Sequence, residues 1–138
     1  MRRFLAAVGV AACLIVLPAK AAPAEAAGIT YNHFYWGQCT WWAAQMRPDI
    51  GAVVWGNAWN WLGSAHAAGL PIGYTPKVGA IAVYQPGVEG AWSAGHVAHV
   101  IAVSPDGVHF TVDEMHFPFV GVVDHRVSHT APGVGFIY

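Results

Sequence analysis

The order of its periodic segments is the feature that most constrains the fold of this chain. Residues 37–46 favour a helix that ends before Pro48, and residues 57–68 carry apolar side chains spaced to share one helical face. Strand-like runs follow only later, at residues 79–84, 96–103, 108–114, 120–127 and 134–137. Because helices and strands do not alternate, the pattern predicts an α+β domain with N-terminal helices packed on a C-terminal antiparallel β-sheet.

Two of these runs should form a hairpin. The Ser-Pro-Asp-Gly sequence at residues 104–107 separates the second run from the third and is typical of a tight turn. A turn centred on its Pro-Asp pair places His96 opposite Glu114 or Met115, depending on a one-residue choice of register. We therefore expect a histidine and a carboxylate to lie within reach of each other.

The first 26 residues have the layout of a secretory signal peptide, with two arginines, an apolar run and then small residues. Cleavage is expected after residue 21 or residue 26, each of which ends a small-x-small sequence. The apolar run, residues 4–18, is shorter than the roughly 20 residues of a membrane-spanning helix, so we expect export without anchoring. Residues 28–138 would then form one secreted or wall-associated domain, expected to be a monomer.

The chain has two cysteines, at positions 13 and 39. Cys13 follows Val-Ala-Ala as in bacterial lipoproteins, but apolar residues continue after it where a polar tether is usual, so lipidation is the less favoured alternative. Removal of the signal leaves Cys39 as the sole cysteine, which excludes an intramolecular disulfide. Cys39 lies near a predicted helix N-terminus, where a thiol pKa is lowered, so we interpret it as a nucleophile. A buried core residue or an intermolecular disulfide are the alternatives.

A thiolate nucleophile needs a base, and strand alternation selects among the eight histidines. His96 and His99 are three residues apart in one strand, so they face opposite sides of the sheet and only one can meet Cys39. His96 opens its strand, whereas His99 lies among valine and isoleucine, which makes His96 the candidate base. Glu114 is the candidate orienting carboxylate, and His116 shares its strand face.

The charge of the chain and the spacing of its histidines limit the kinds of ligand that it could bind. From residue 27 onward the chain has three basic and six acidic residues, so nucleic-acid binding is not expected. A zinc site built from His96, His116, Asp113 and Glu114 is an alternative, but no His-Glu-x-x-His spacing supports it.

Seven tryptophans are many for one small domain. Most are expected to belong to the core, since large aromatic side chains are highly buried on average. Trp41 and Trp42 adjoin Cys39, and Trp92 precedes His96 by four residues. These three are therefore predicted to edge a substrate groove, where an exposed indole can stack on a sugar.

Four motifs, taken in order, make the sequence resemble a known family. They are Trp-Gly-Gln-Cys-Thr-Trp at residues 36–41, Trp-Gly-Asn-Ala at 55–58, Pro-Lys-Val-Gly-Ala-Ile at 76–81 and Gly-His-Val-Ala at 95–98. The set resembles a CHAP domain, a cysteine, histidine-dependent amidohydrolase or peptidase related to papain-like enzymes. This resemblance implies a papain-like fold and the cleavage of an amide bond in bacterial cell-wall peptidoglycan.

By that resemblance Cys39 is the nucleophile, His96 the general base and Glu114 its acidic partner. The Cys39 backbone N–H and the Gln38 side chain would stabilise the oxyanion, and activity should fall in mild acid as His96 is protonated. The family's Ser-Glu-Met-Asn segment reads Asp-Glu-Met-His at residues 113–116, so His116 replaces an asparagine that can help hold the catalytic histidine.

The resemblance leaves two questions open. CHAP domains include N-acetylmuramoyl-L-alanine amidases and peptidoglycan endopeptidases, and the sequence favours neither. A non-catalytic wall-binding module with an inert cysteine is the alternative function. Some phage relatives carry a calcium loop before the cysteine, but residues 31–35 contain no carboxylate, so no metal or other cofactor is expected.

Overall fold

The computed structural model describes residues 31–115 and 119–138. The expected signal peptide and His116 lie outside these residues. Within the two described ranges, no helix is both long enough and apolar enough to cross a membrane.

Helices occupy the N-terminal half, as the sequence predicts. Helix α1 spans Cys39–Met46, and a short α2 at Pro48–Gly51 follows it, begun by a proline at its first position. The second predicted helix is divided into a 3₁₀ turn at Ala58–Asn60 and α3 at Trp61–Ala67. Of its predicted apolar face, Ala58, Trp61 and Ala65 are buried and Leu62 is partly buried.

Six strands follow in a single sheet within the described residues. They are β1 (Ile72–Gly73), β2 (Ile81–Tyr84), β3 (His96–Val103), β4 (His109–Met115), β5 (Val123–His129) and β6 (Val134–Ile137). Their order in the sheet is β1-β6-β2-β3-β4-β5, and every pair is antiparallel. The predicted α+β architecture is confirmed. The two-residue β1 was not expected, because its segment reads as a turn.

The sheet curls strongly across its width. The rings of Phe110 in β4 and Phe136 in β6 are 5.2 Å apart, although two strands separate β4 from β6. In a flat sheet, three strand spacings would put them about 14 Å apart. Likewise, Tyr84 Oη in β2 donates to Ser128 Oγ in β5 at 3.1 Å. The concave face therefore encloses an apolar core of its own.

A second core lies between the helices and the opposite face of the sheet. There Val83 and Val97 pack with Trp61 and with Ala43 of α1. Helix α1 packs on β3 and β4. Its first residue thereby comes to the beginning of β3, where the candidate site is found.

Candidate active site

Cys39 is the first residue of α1 and is half-buried. Gln38 caps the helix in an extended conformation, and its carbonyl accepts from Trp42 N–H at 3.1 Å. Gly37 precedes it with φ +84°, and a Cβ there would come within 2.5 Å of Val120 Cγ1. The Gly-Gln-Cys sequence therefore combines a turn that requires glycine with a thiol at the positive end of a helix.

His96 is the first residue of β3 and is almost fully buried. Gly95 has φ +71°, and a Cβ at that position would lie 2.7 Å from Trp59 N and 2.8 Å from the Tyr84 carbonyl oxygen. Only glycine fits this close approach, which fixes the entry of the chain into β3. The His96 ring hydrogen-bonds Glu114 Oε2 through Nε2 at 2.8 Å, and His96 lines the same cleft as Cys39.

Cys39 and His96 alter each other's protonation. Burial acts to raise the pKa of the Cys39 thiol, but the hydrogen bond and charge of His96, helped by backbone hydrogen bonds from Val97 and Thr40, bring it below its usual value. For His96, burial acts to lower the pKa, whereas the hydrogen bonds and charges of Cys39 and Glu114 raise it to about 9. Each partner therefore favours the charged form of the other, a thiolate beside an imidazolium. This changes the pH dependence expected from the sequence, which assumed a neutral His96.

Glu114 is buried and held from two sides. Its Oε2 contacts His96, and its Oε1 accepts from Arg126 Nε at 2.7 Å. Burial acts to raise the Glu114 pKa, but the hydrogen bonds and positive charges of His96 and Arg126 lower it below its usual value. Glu114 is therefore an ionised, oriented carboxylate at neutral pH.

Arg126 is a site residue that the sequence reasoning missed. It lies in β5, its guanidinium carbon is 5.0 Å from the centre of the Tyr84 ring, and its Nη1 is 3.5 Å from Glu89 Oε2. Glu89, in the loop between β2 and β3, has φ +51° and also accepts from Ser128 Oγ at 2.9 Å. No motif marks Arg126, and its only sequence signal is a strand position on the same face as Glu114.

The predicted register of the hairpin was wrong. His99 pairs with Asp113, and a register shift separates Val100 from Ala102. Glu114 consequently contacts His96 diagonally along one face, not from the directly opposite position. The predicted juxtaposition of histidine and carboxylate is present all the same, because diagonal neighbours lie within reach of long side chains.

Asp113 and His99 face away from this site, as alternation requires. His99 Nδ1 is 3.0 Å from Asp113 Oδ1, and the same oxygen accepts from Trp42 Nε1 at 3.1 Å. The zinc set considered from the sequence is therefore divided between two faces of the sheet. Across residues 31–115 and 119–138, no group of three or more His, Cys, Asp or Glu side chains could hold a metal ion.

Two clefts meet at Cys39. The first, here called the charged cleft, has a volume of about 420 Å³, and its lining includes His96, Trp92, Glu89, Glu114, Asp124 and Arg126. The second, the aromatic cleft, has a volume of about 530 Å³, and its lining includes His33, Phe34, Tyr35, Trp55 and Asn57. Gln38 and Cys39 line both clefts. Of the three tryptophans expected at the groove, Trp92 lines the charged cleft, whereas Trp41 and Trp42 line neither.

Comparisons with known proteins agree with this geometry. A family model described as the CHAP domain matches residues 29–116. The chain is 42% identical over 84 residues to the N-acetylmuramoyl-L-alanine amidase sle1 of Staphylococcus epidermidis, covering 56% of this chain and 24% of that protein. It is 36% identical over 106 residues to the secretory antigen ssaA2 of Staphylococcus aureus, covering 76% of this chain and 38% of that protein. A probable autolysin of S. aureus, LDP, is 38% identical over 98 residues, with coverage of 69% and 33%.

A solved structure shares the fold. The crystal structure of an N-acetylmuramoyl-L-alanine amidase from S. aureus superimposes with a TM-score of 0.63 and 31% sequence identity, covering 74% of this chain and 30% of that one. The chain thus spans between about a quarter and two fifths of the length of the relatives it matches.

Proposed function

The chain belongs to the CHAP family, and from that membership we propose that it hydrolyses an amide bond of bacterial peptidoglycan with Cys39 as the nucleophile. The observation that carries the proposal is that Cys39 and His96 line one cleft, with the His96 ring hydrogen-bonded to the buried Glu114 at 2.8 Å. The names of relatives, an amidase and an autolysin, support peptidoglycan as the substrate class.

The first chemical step is attack of the Cys39 thiolate on the carbonyl carbon of the amide. The Cys39 backbone N–H and the Gln38 side chain stabilise the oxyanion that forms. His96 gives its proton to the departing nitrogen, the C–N bond breaks, and a thioester links the acyl group to Cys39. The amine leaves as a neutral product.

The second step removes the acyl group. His96, neutral after acylation, takes a proton from water, whose oxygen attacks the thioester carbonyl. Collapse of the intermediate releases a carboxylic acid and restores the thiolate and imidazolium. Glu114 and Arg126 act as positioning residues, because they hold the imidazole in place and do not contact the reacting atoms. A positioning role for His116 stays a prediction.

We further propose that the protein is exported and acts as a monomer at the cell wall. The leader sequence supports export, as does the name of a relative, secretory antigen. Mass spectrometry of the mature protein should find Ala22 or Ala27 at its N-terminus, and an N-terminus that still carries residues 1–21 would contradict export by signal cleavage.

The deciding experiment is digestion of purified peptidoglycan by the mature protein, by Cys39→Ala and by Cys39→Ser, with fragments identified by mass spectrometry. We expect cleavage by the wild type alone, and undiminished cleavage in the presence of chelator. Retained activity in Cys39→Ala would remove Cys39 from its role. Wall binding without cleavage by the wild type would support the non-catalytic module instead.

A further inference from the structure

One acidic side chain of the charged cleft comes from the loop between β2 and β3. Glu89 lies in this loop with φ +51° and is the one residue other than glycine, within 31–115 and 119–138, whose φ is positive. A residue with a Cβ is strained in that conformation, whereas a glycine would adopt it freely. Contacts made by the Glu89 side chain therefore stabilise this part of the loop.

The Glu89 carboxylate contacts β5 through both of its oxygens. Oε2 accepts from Ser128 Oγ at 2.9 Å and lies 3.5 Å from Arg126 Nη1, and Oε1 lies 3.0 Å from His129 Nδ1. The Glu89 side chain is only 16% exposed, so these partners enclose it. With both oxygens engaged by the protein itself, Glu89 is suited to hold neighbouring side chains in place, and less suited to bind a substrate.

Arg126 lies between two carboxylates. Its Nε donates to Glu114 Oε1 at 2.7 Å, while its Nη1 faces Glu89. The guanidinium is planar and rigid, so two acceptors at different nitrogens fix its orientation more firmly than one acceptor can. Arg126 is thereby directed at Glu114, whose other oxygen contacts His96 at 2.8 Å. A continuous chain of contacts leads from Glu89 to His96.

Ser128 provides a second connection. This serine is buried, and its hydroxyl has a single hydrogen, which is donated to Glu89. Its oxygen can then accept from Tyr84 Oη, which is 3.1 Å away. The centre of the Tyr84 ring lies 5.7 Å from that of His96 and 5.0 Å from the guanidinium carbon of Arg126. Glu89 therefore orients two groups near His96, one cationic and one aromatic.

The charges around His96 come from several elements. The titratable side chains that contact His96, stand behind its partners or line the same cleft are Cys39, Tyr84, Glu89, Glu114, Asp124 and Arg126. Glu114 favours the protonated imidazole, whereas the Arg126 cation opposes it. Glu89 partly neutralises that cation, because its carboxylate lies 3.5 Å from Nη1. Removal of the Glu89 charge would therefore disfavour the protonated form of His96.

We propose that Glu89 is a positioning residue: acting through Arg126, it keeps Glu114 directed at His96 and balances the positive charge behind the imidazole. The proposal rests on the proposed function and adds to it a residue of the β2–β3 loop. Glu89 acts through its partners and does not touch the reacting atoms. The wall of the charged cleft and the histidine that acts within it are thereby joined through one arginine.

The first test is kinetics on soluble peptidoglycan fragments with Glu89→Gln, which keeps the shape of the side chain and an acceptor for Ser128 but removes the charge. We expect kcat to fall about threefold with KM within about twofold of the wild type. The alkaline limb of the pH profile should move to lower pH by about half a unit, because the Arg126 cation is then less neutralised. Glu89→Gly also removes the carboxylate but relieves the strained φ, and it should move the limb in the same direction.

A double-mutant cycle tests the route through Arg126. In an Arg126→Met background, Glu89→Gln should cause no further loss of kcat and no further shift of the alkaline limb, since the intermediate cation is already absent. Asp49→Asn is the matched control, because Asp49 pairs with Arg47 at 2.7 Å and neither residue lines either cleft. Its kcat and its pH profile should equal those of the wild type. Circular dichroism confirms that each variant is folded.

A measurement without turnover separates this proposal from the proposed function. Titration of the His96 ring signals by NMR, assigned through His96→Gln, should show a lower midpoint in Glu89→Gln and Glu89→Gly than in the wild type or Asp49→Asn. An unchanged midpoint, additive losses in the double mutant or a rise in KM alone would each overturn the proposal. Failure of the proposed function is recognised differently, as no cleavage of any peptidoglycan by the folded wild type. The NMR titration still decides in that case whether Glu89 acts on His96.

Discussion

Strands β3 and β4 carry two pairs of histidine and carboxylate, on opposite faces of the same ribbon. On the concave face His96 contacts Glu114, at 2.8 Å, and on the helix-covered face His99 contacts Asp113, at 3.0 Å. The two histidines are three residues apart in β3, and the two carboxylates are neighbours in β4. The contact distances of the two pairs are similar. Contact between an imidazole and a carboxylate therefore does not by itself distinguish a catalytic pair.

The surroundings of the two pairs differ. Glu114 is only 2% exposed and is also bound by Arg126, whereas the Asp113 side chain is 14% exposed and accepts from the Trp42 indole. The end of α1 places a thiol beside His96 but places a tryptophan ring beside Asp113. The two pairs thus differ in the third group that α1 brings to them, and the proposed mechanism uses the pair beside the thiol.

The largest expected effect separates the two histidines. In the proposed mechanism His96 maintains the thiolate and protonates the departing amine, so in His96→Ala kcat/KM on peptidoglycan should fall by about 10³-fold. His99→Ala should keep kcat/KM within about threefold of the wild type, because that ring lies on the other face. Turbidity assays on purified walls measure both, with circular dichroism confirming the fold. Equal losses would remove the distinction between the two faces.

The next effect separates the two carboxylates. Glu114→Gln removes the charge that orients and stabilises the His96 imidazolium, and kcat should fall by about 10- to 100-fold. Asp113→Asn should change kcat by less than about threefold, since an amide oxygen can still accept from Trp42. A greater loss of kcat in Asp113→Asn than in Glu114→Gln would show that Asp113, and not Glu114, is the orienting carboxylate.

The pH profile provides a sharper test than rates alone. In the wild type, kcat/KM should be level through neutrality and fall above about pH 9, where His96 loses its proton. It should also fall in acid, where the Cys39 thiolate takes up a proton and is no longer a nucleophile. Since Glu114 raises the His96 pKa, Glu114→Gln should move the alkaline limb to lower pH, and Asp113→Asn should not.

Alkylation of Cys39 by iodoacetamide gives an independent readout of the thiolate. The reaction rate of the wild type should stay high well below the usual thiol pKa. A rate that rises only near the pKa of a free thiol would contradict the thiolate and imidazolium pair.

The smallest expected effect concerns Arg126. Arg126→Met removes the hydrogen bond from Arg126 Nε to Glu114 Oε1, and we expect about a fivefold loss of kcat with little change in KM. Because the cation also opposes the nearby imidazolium, its removal should shift the alkaline limb to higher pH, and Arg126→Lys should partly reverse that shift. Arg47→Met is the matched control, since Arg47 pairs with Asp49 at 2.7 Å and lines neither cleft. An identical shift in the control would show that Arg126 has no specific role.

Much of the fold could be predicted because its signals are local. The helix that begins at Cys39 and the strand that begins at His96 follow from glycine positions, helix limits and apolar periodicity, each of which depends on a few neighbouring residues. The opposite orientation of His96 and His99 follows from strand alternation alone. The orientation of the three tryptophans predicted to edge the groove was harder to predict, because composition does not say which way a ring points. Trp42, for example, turns toward Asp113.

The register and the role of Arg126 could not be predicted in the same way. The turn is centred on Asp106 and Gly107, one residue later than predicted, because Ser104 N–H donates to the His109 carbonyl at 2.9 Å. The irregularity between Val100 and Ala102 then moves the pairing back by one residue, and such bulges depend on how the sheet bends. Arg126 reaches Glu114 only because β5 pairs with β4 and the sheet curls toward β2, bringing Tyr84 close as well. These are relations between separate segments, since Arg126 is 12 residues from Glu114 and 42 from Tyr84, and no local pattern encodes them.

The sequence by itself determined which reactive groups this protein has and where along the chain each one lies: a thiol at a helix N-terminus, a histidine at the start of a strand and a glutamate on the neighbouring strand. Tertiary structure alone decided which carboxylate meets His96, that Arg126 stands behind it, and that Cys39 separates a charged cleft from an aromatic one. The physical reason is that helix and strand geometry act over a few residues, whereas register, curl and cleft walls depend on contacts between distant segments.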